Sequence, residues 1–143
     1  DCKQWLEKLA QLKIPSQALV IEITERMLLE SDKISDENIN TLQTAGIELA
    51  LDDFGTGYSN FSYLLKLKPD YIKIDGSMIK NITSNKDSEE VVRTIIDFAQ
   101  KRHLKTIAEF VSSKEIYEKV IELGIDYSQG YFIGEPKAEL VNS

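Results

Sequence analysis

Short apolar runs alternate with longer amphipathic stretches along this chain. The runs at 18–23, 47–51, 71–74, 105–108 and 130–133 are mostly rich in Ile, Leu and Val. Continuous apolar runs of about four to six residues predict strands buried on both faces. The stretches 3–12, 35–45, 60–66, 87–102 and 112–124 predict helices. In 87–102, Val91, Val92, Ile95, Ile96 and Ala99 are spaced to share one helical face. Gly46 and Gly124 stand where helix C-caps belong. Asp87 with Glu90, and Ser112 with Glu115, read as capping boxes that open two of the helices.

The predicted strands begin roughly every 24 to 34 residues, which is the spacing of β-α units. No low-complexity stretch or linker interrupts them, so 1–143 reads as one unit. The expected fold class is α/β, with about five parallel strand-helix units. A complete (β/α) barrel takes about 250 residues, so this chain fits either a small open sheet or a partial TIM-type barrel.

Composition narrows the function classes. The 24 acidic and 17 basic residues leave a net charge of −7, which argues against a surface that coats a nucleic-acid polymer. No apolar run approaches the ~18 residues of a membrane span, so no membrane contact is expected from this segment. With a single cysteine, Cys2, an intrachain disulfide and a cysteine-built zinc site are both excluded. The expected setting is cytoplasmic, which includes the cytoplasmic part of a larger membrane-attached sensor. The single histidine, His103, lies between a helix and a strand and is read as structural or solvated.

The polar residues at the strand ends are more informative. The first strand carries Glu22 and leads to Glu25, the second runs into Asp52 and Asp53, and the third carries Lys73 and Asp75. Glu109 ends the fourth, and Gln129 enters the fifth. In a parallel sheet the carboxyl ends share one side, where α/β folds place their sites. Lys73 alternates with Ile72 and Ile74, so it points away from them and needs an acidic partner, Asp52 or Glu109. Glu22, Asp52, Asp53 and Glu109 would repel one another unless a cation lay among them. An all-oxygen donor set without thiolates suits Mg²⁺ or Mn²⁺, with Ca²⁺ as an inhibitory substitute. Gly55-Thr56-Gly57 looks like the start of a dinucleotide fingerprint, but Asn60 occupies the third glycine's place. Two aspartates also stand where a pyrophosphate would have to approach.

Five segments together resemble the EAL-domain cyclic-di-GMP phosphodiesterases. They are Ile21-Glu22-Ile23-Thr24-Glu25, the run from Asp52 to Asn60, Ile72-Lys73-Ile74-Asp75-Gly76, Ala108-Glu109, and Gln129-Gly130-Tyr131. The resemblance implies a (β/α) barrel that hydrolyses cyclic di-GMP to the linear dinucleotide with two Mg²⁺ or Mn²⁺ ions. It makes Glu22, Asp52, Asp53 and Glu109 metal-ligand or water-activating residues. Lys73 becomes the catalytic lysine near the attacking water, and Gln129 a glutamine that supports the site. Asp53, Phe54, Gly55, Thr56, Gly57, Tyr58 and Ser59 match a loop that links metal, substrate and dimerisation, and Glu25 matches its anchor. The partners implied are cyclic di-GMP and a second copy of the chain.

The departures carry information too. The Glu-Ala-Leu strand that names the family is missing, since Ala138-Glu139-Leu140 stands at the wrong end. The expectation is therefore the C-terminal portion of one such domain, lacking its first strands and inactive alone. The alternative is a non-catalytic module that binds cyclic di-GMP or docks a protein. Ser112 replaces a usual glutamate, and Phe110 a usual glycine, which would narrow the mouth of the site.

Overall fold

The computed structural model describes residues 2–24, 26–27, 36–55 and 61–138, except for the side chains of Ser62, Tyr63 and Lys66. It divides into two compact units, Asp1–Ile72 and Lys73–Ser143. Five strands alternate with helices, so the chain is α/β as its pattern predicts.

The first unit holds α1 (Cys2–Gln11), a 3₁₀ turn (Ser16–Ala18), β1 (Val20–Thr24), α2 (Asp36–Thr44), β2 (Glu48–Phe54), α3 (Phe61–Leu67) and the first half of β3 (Tyr71–Ile74). β1 runs parallel to β2, with Val20 opposite Glu48, Glu22 opposite Ala50 and Thr24 opposite Asp52. Residues opposite each other in a pleated pair point to the same face. Ile21 packs with Leu6 and Leu19 on the cluster of Leu9, Leu42 and Ile47, so its face belongs to the helices. Glu22 and Asp52 therefore share the other face. Asp36 and Glu37 in the first turn of α2 oppose its positive end. Gly46, at φ 82°, ends the connection as the chain pattern anticipates.

The second unit holds the rest of β3, α4 (Gly76–Lys80), α5 (Lys86–Lys101), β4 (Lys105–Ala108), α6 (Lys114–Leu123) and β5 (Tyr127–Ser128). β4 and β5 are parallel, with Ile107 opposite Tyr127 and Ala108 opposite Ser128. Val92, Ile95, Ile96 and Ala99 of α5 are buried, but Val91 is exposed, because it lies at the edge of the apolar stripe. Glu89 accepts from Arg93 on its own helix and meets Lys119 of α6 at 3.1 Å. Both cations hold its carboxyl below the ordinary range.

Three local expectations need correction. The fifth strand is Tyr127–Ser128 and not 130–133. Gly130 sits at φ 154°, and Ile133 and Gly134 donate back to its carbonyl, closing a turn out of apolar residues. Gln129 thus follows β5 instead of entering it. The cap of α6 is Ser113, whose Oγ accepts from the Ile116 amide, one residue after Ser112. Asn85, not Asp87, caps α5, accepting from the Asp87 and Ser88 amides. Ser, Asp and Asn all cap well, so when two stand close together their identity does not choose between them.

Candidate active site

In the first unit, β2 ends in a pair of carboxylates. Asp52 and Asp53 have side-chain oxygens within 4.8 Å of each other. The Asp53 amide donates to Asp52 Oδ1 at 3.0 Å. Asp53 lies at φ 56°, in the left-handed region that a residue with a Cβ enters at a cost. That turn redirects the chain, and Gly55 at φ 111° continues it. Phe54 between them is buried, its ring edge-on to Phe61 at 5.4 Å, so it anchors the end of the strand in the core. Glu22 is exposed on the same pleated face as Asp52. Glu25, Thr56, Gly57, Tyr58 and Ser59 lie outside the described residues.

In the second unit, Lys73 and Glu109 form a buried ion pair. Lys73 Nζ lies 3.0 Å from Glu109 Oε1, and the two residues are 4% and 7% exposed. The alternation read from the chain explains the direction of Lys73, since Ile74 beside it is fully buried. Glu109, one of the two acids considered as partners for this lysine, forms an ion pair with it. The Glu109 amide donates to the Ile74 carbonyl at 3.4 Å.

Backbone bonds hold Gln129 beside this pair. Its amide donates to Ala108 at 2.8 Å, and its carbonyl accepts from Val111 at 3.0 Å. A Cβ at Gly130 would lie 2.3 Å from the Val111 amide nitrogen and carbonyl oxygen, so only glycine admits this approach. Phe110, directly after Glu109, is also left-handed, at φ 54°.

Two arrangements escaped the reading of the chain. The first is α4, whose cap is Asp75, accepting from both the amide and the hydroxyl of Ser77. The second is a clamp at the amino ends of two strands. Asp70, just before β3, accepts from the Leu49 amide at 2.9 Å. Asp126, just before β5, accepts from the Thr106 amide at 2.8 Å and its hydroxyl at 3.0 Å. The repeated pair Asp-Tyr at 70–71 and 126–127 was a signal for it.

Hard carboxylate oxygens, with no soft donor beside them, are the ligands that Mg²⁺, Mn²⁺ and Ca²⁺ prefer. The acidic group that includes Asp52 and Asp53 is of this kind and can hold a metal ion. No helix among the described residues is long and apolar enough to cross a membrane.

The EAL domain family matches residues 1–136. The cyclic di-GMP phosphodiesterase PdeA of Borreliella burgdorferi is 42% identical over 131 residues, covering 92% of this chain and 20% of that protein. The cyclic di-GMP phosphodiesterase PdeF of Escherichia coli is 41% identical over 129 residues, covering 90% of this chain and 17% of that protein. The chain thus spans about a fifth of the length of these relatives. Among solved structures, the calcium and cyclic-di-GMP complex of Klebsiella pneumoniae BlrP1 matches with a TM-score of 0.84 at 26% identity, over 91% of this chain and 33% of that one. Its manganese and cyclic-di-GMP complex matches with a TM-score of 0.82 at 28% identity, over 90% of this chain and 33% of that one.

Proposed function

We propose that this chain, which belongs to the EAL domain family, is the C-terminal portion of a domain that hydrolyses cyclic di-GMP to the linear dinucleotide. The observation that carries the reading is the buried pair of Lys73 and Glu109 at the ends of β3 and β4. A structural lysine is rarely sunk so deep, because burial penalises its charge unless a task keeps it there. The relatives named as cyclic di-GMP phosphodiesterases support the substrate.

Glu22, Asp52, Asp53 and Glu109 would hold Mg²⁺ or Mn²⁺, and the BlrP1 complexes with manganese and calcium support a divalent cation in this role. Bound there, such ions would lower the pKa of a water and neutralise phosphate oxygens. The chain's own groups do the rest. Glu109 holds the Lys73 side chain in place. The ammonium then stands as a point charge for the phosphate oxygens as the water oxygen attacks phosphorus. The P–O bond to the ribose breaks, and its oxygen leaves with the proton that the attacking water gives up. Gln129, fixed through its backbone, orients the water with its amide. By the family resemblance, residues 53–59 and Glu25 would couple the metal ligands to the substrate and to a second copy of the chain. The reaction belongs to the cytoplasm.

The test is cleavage of cyclic di-GMP with Mn²⁺, read by nucleotide chromatography, on this chain and on the domain completed by its first strands. The completed domain should cleave, and its Lys73→Met variant should lose at least a hundredfold in kcat. This chain alone should be inactive and self-associated in light scattering. Unchanged turnover in Lys73→Met, or equal turnover by the chain alone, would overturn the reading.

A further inference from the structure

Phe110 is the least expected residue of the second unit. It is 68% exposed, yet its backbone is left-handed at φ 54°, where glycine is favoured. Its ring lies directly on Gly76. A Cβ at that position would come within 2.2 Å of Phe110 Cδ2 and 2.6 Å of Cγ. One edge of the ring is therefore supported by bare backbone, and most of the ring remains open to solvent. The ring forms a wall of a pocket of about 480 Å³ that Asp75, Gly76, Ser77, Lys80 and Ser112 complete. This pocket begins one residue beyond Glu109, the partner of Lys73.

A strained backbone, a glycine that makes room for the ring, and an exposed face together are poor design for stability. They suit a platform for a flat ligand. We infer that Phe110 is a stacking surface for one purine base of the cyclic dinucleotide, an inference that rests on the function proposed above. Aromatic side chains stack any base, so the ring supplies affinity and the polar groups supply choice. Guanine sets two acceptors, N7 and O6, side by side, whereas adenine sets a donor beside N7. The Lys80 ammonium, a donor only, matches the guanine edge. The carboxylate of Asp75 matches the donors on guanine's opposite edge. The ring touches no reacting atom, so its role is positioning.

The left-handed backbone makes the test clean, because Phe110→Gly removes the ring and relieves strain together. In the completed domain, this variant should raise KM for cyclic di-GMP about tenfold, the order of one lost base stack. Its kcat should stay within twofold, and its melting temperature should hold or rise. Phe110→Trp should keep KM at or below the parent's. Gly76→Ala pushes the ring aside and should raise KM in the parent, but not in the Phe110→Gly background. Lys80→Met should narrow the preference for the guanine over the adenine cyclic dinucleotide. An intermolecular contact between the base H8 and the Phe110 ring should appear in NMR. If the parent cleaves normally and Phe110→Gly leaves KM within twofold, or lowers kcat alone, the platform is refuted while the phosphodiesterase reading survives. If the parent neither binds nor cleaves the dinucleotide, the phosphodiesterase reading falls, and the platform falls with it.

Discussion

Acids stand at both ends of the strands, but the two ends use them differently. At the amino ends, Asp70 and Asp126 each spend a carboxylate on a neighbouring strand's amide, Leu49 in one unit and Thr106 in the other. These acids hold the backbone of neighbouring strands together. At the carboxyl ends, Asp52 and Asp53 crowd each other, and Glu109 is sunk with a lysine. Left-handed backbone occurs near both ends, at Lys68 and His103 on the amino side and at Asp53 and Phe110 on the carboxyl side. The same residue types thus stabilise one end, while crowding and burial of acids gather at the other. Such features persist where function holds them against their cost.

The comparison breaks most visibly at the ion pair. Removing one partner of a buried pair leaves an uncompensated charge, so Lys73→Met should cost about 3–5 kcal/mol in urea unfolding. The double variant Lys73→Met with Glu109→Leu should regain most of that stability, because apolar replacement of a whole buried pair is often neutral. In the completed domain it should regain no hydrolysis. Recovery of turnover with stability would show that the pair serves only the fold.

The clamps should respond the opposite way. Asp126→Ala leaves the buried Thr106 amide without its acceptor, a loss of about 1–3 kcal/mol. In the completed domain, turnover per folded molecule should not change. Burial raises the Asp126 carboxyl, but the Thr106 amide and hydroxyl and the Lys105 ammonium outweigh it and hold it below the usual range. A carboxyl lowered by folding adds stability above its unfolded pKa and loses it as pH falls through the folded one. Below about pH 4, then, the parent should lose stability faster than Asp126→Asn. Parallel acid-unfolding curves for the two would remove Asp126 from that role.

Smaller effects sharpen the contrast. Ser113→Ala should cost about 1 kcal/mol through the lost cap of α6, while Ser112→Ala should leave thermal unfolding unchanged. Equal effects would mean that the two serines share the cap. Asp53→Gly relieves a left-handed acid and should gain up to about 1 kcal/mol. In the completed domain it should at the same time weaken Mn²⁺ binding measured by calorimetry. A stable variant with unaltered metal affinity would leave the strain at Asp53 without a functional reason.

Four of the five strands were legible in the chain, because buried parallel strands are short continuous apolar runs and the chain has few others. The exception, 130–133, is apolar but opens on Gly130, whose close approach to Val111 stops an extended path. Apolar content reports burial and says little about backbone direction. The acids at the strand ends were legible for a related reason, since an acid that ends an apolar run lacks company of its own kind.

By itself the sequence determined that Lys73 faces away from Ile72 and Ile74, because a strand's period of two is a local property. It determined equally that Glu22, Asp52 and Glu109 end or line strands. Only the tertiary structure decided that Glu109 is an ion-pair partner of Lys73, since sequence order cannot set the distance between two strands. The exchange of Phe110 against Gly76 was also invisible. Each looks like an isolated oddity along the chain, separated by more than thirty residues. They explain one another only once folding lays the ring on the glycine, because packing, unlike periodicity, is not a property of neighbours in sequence.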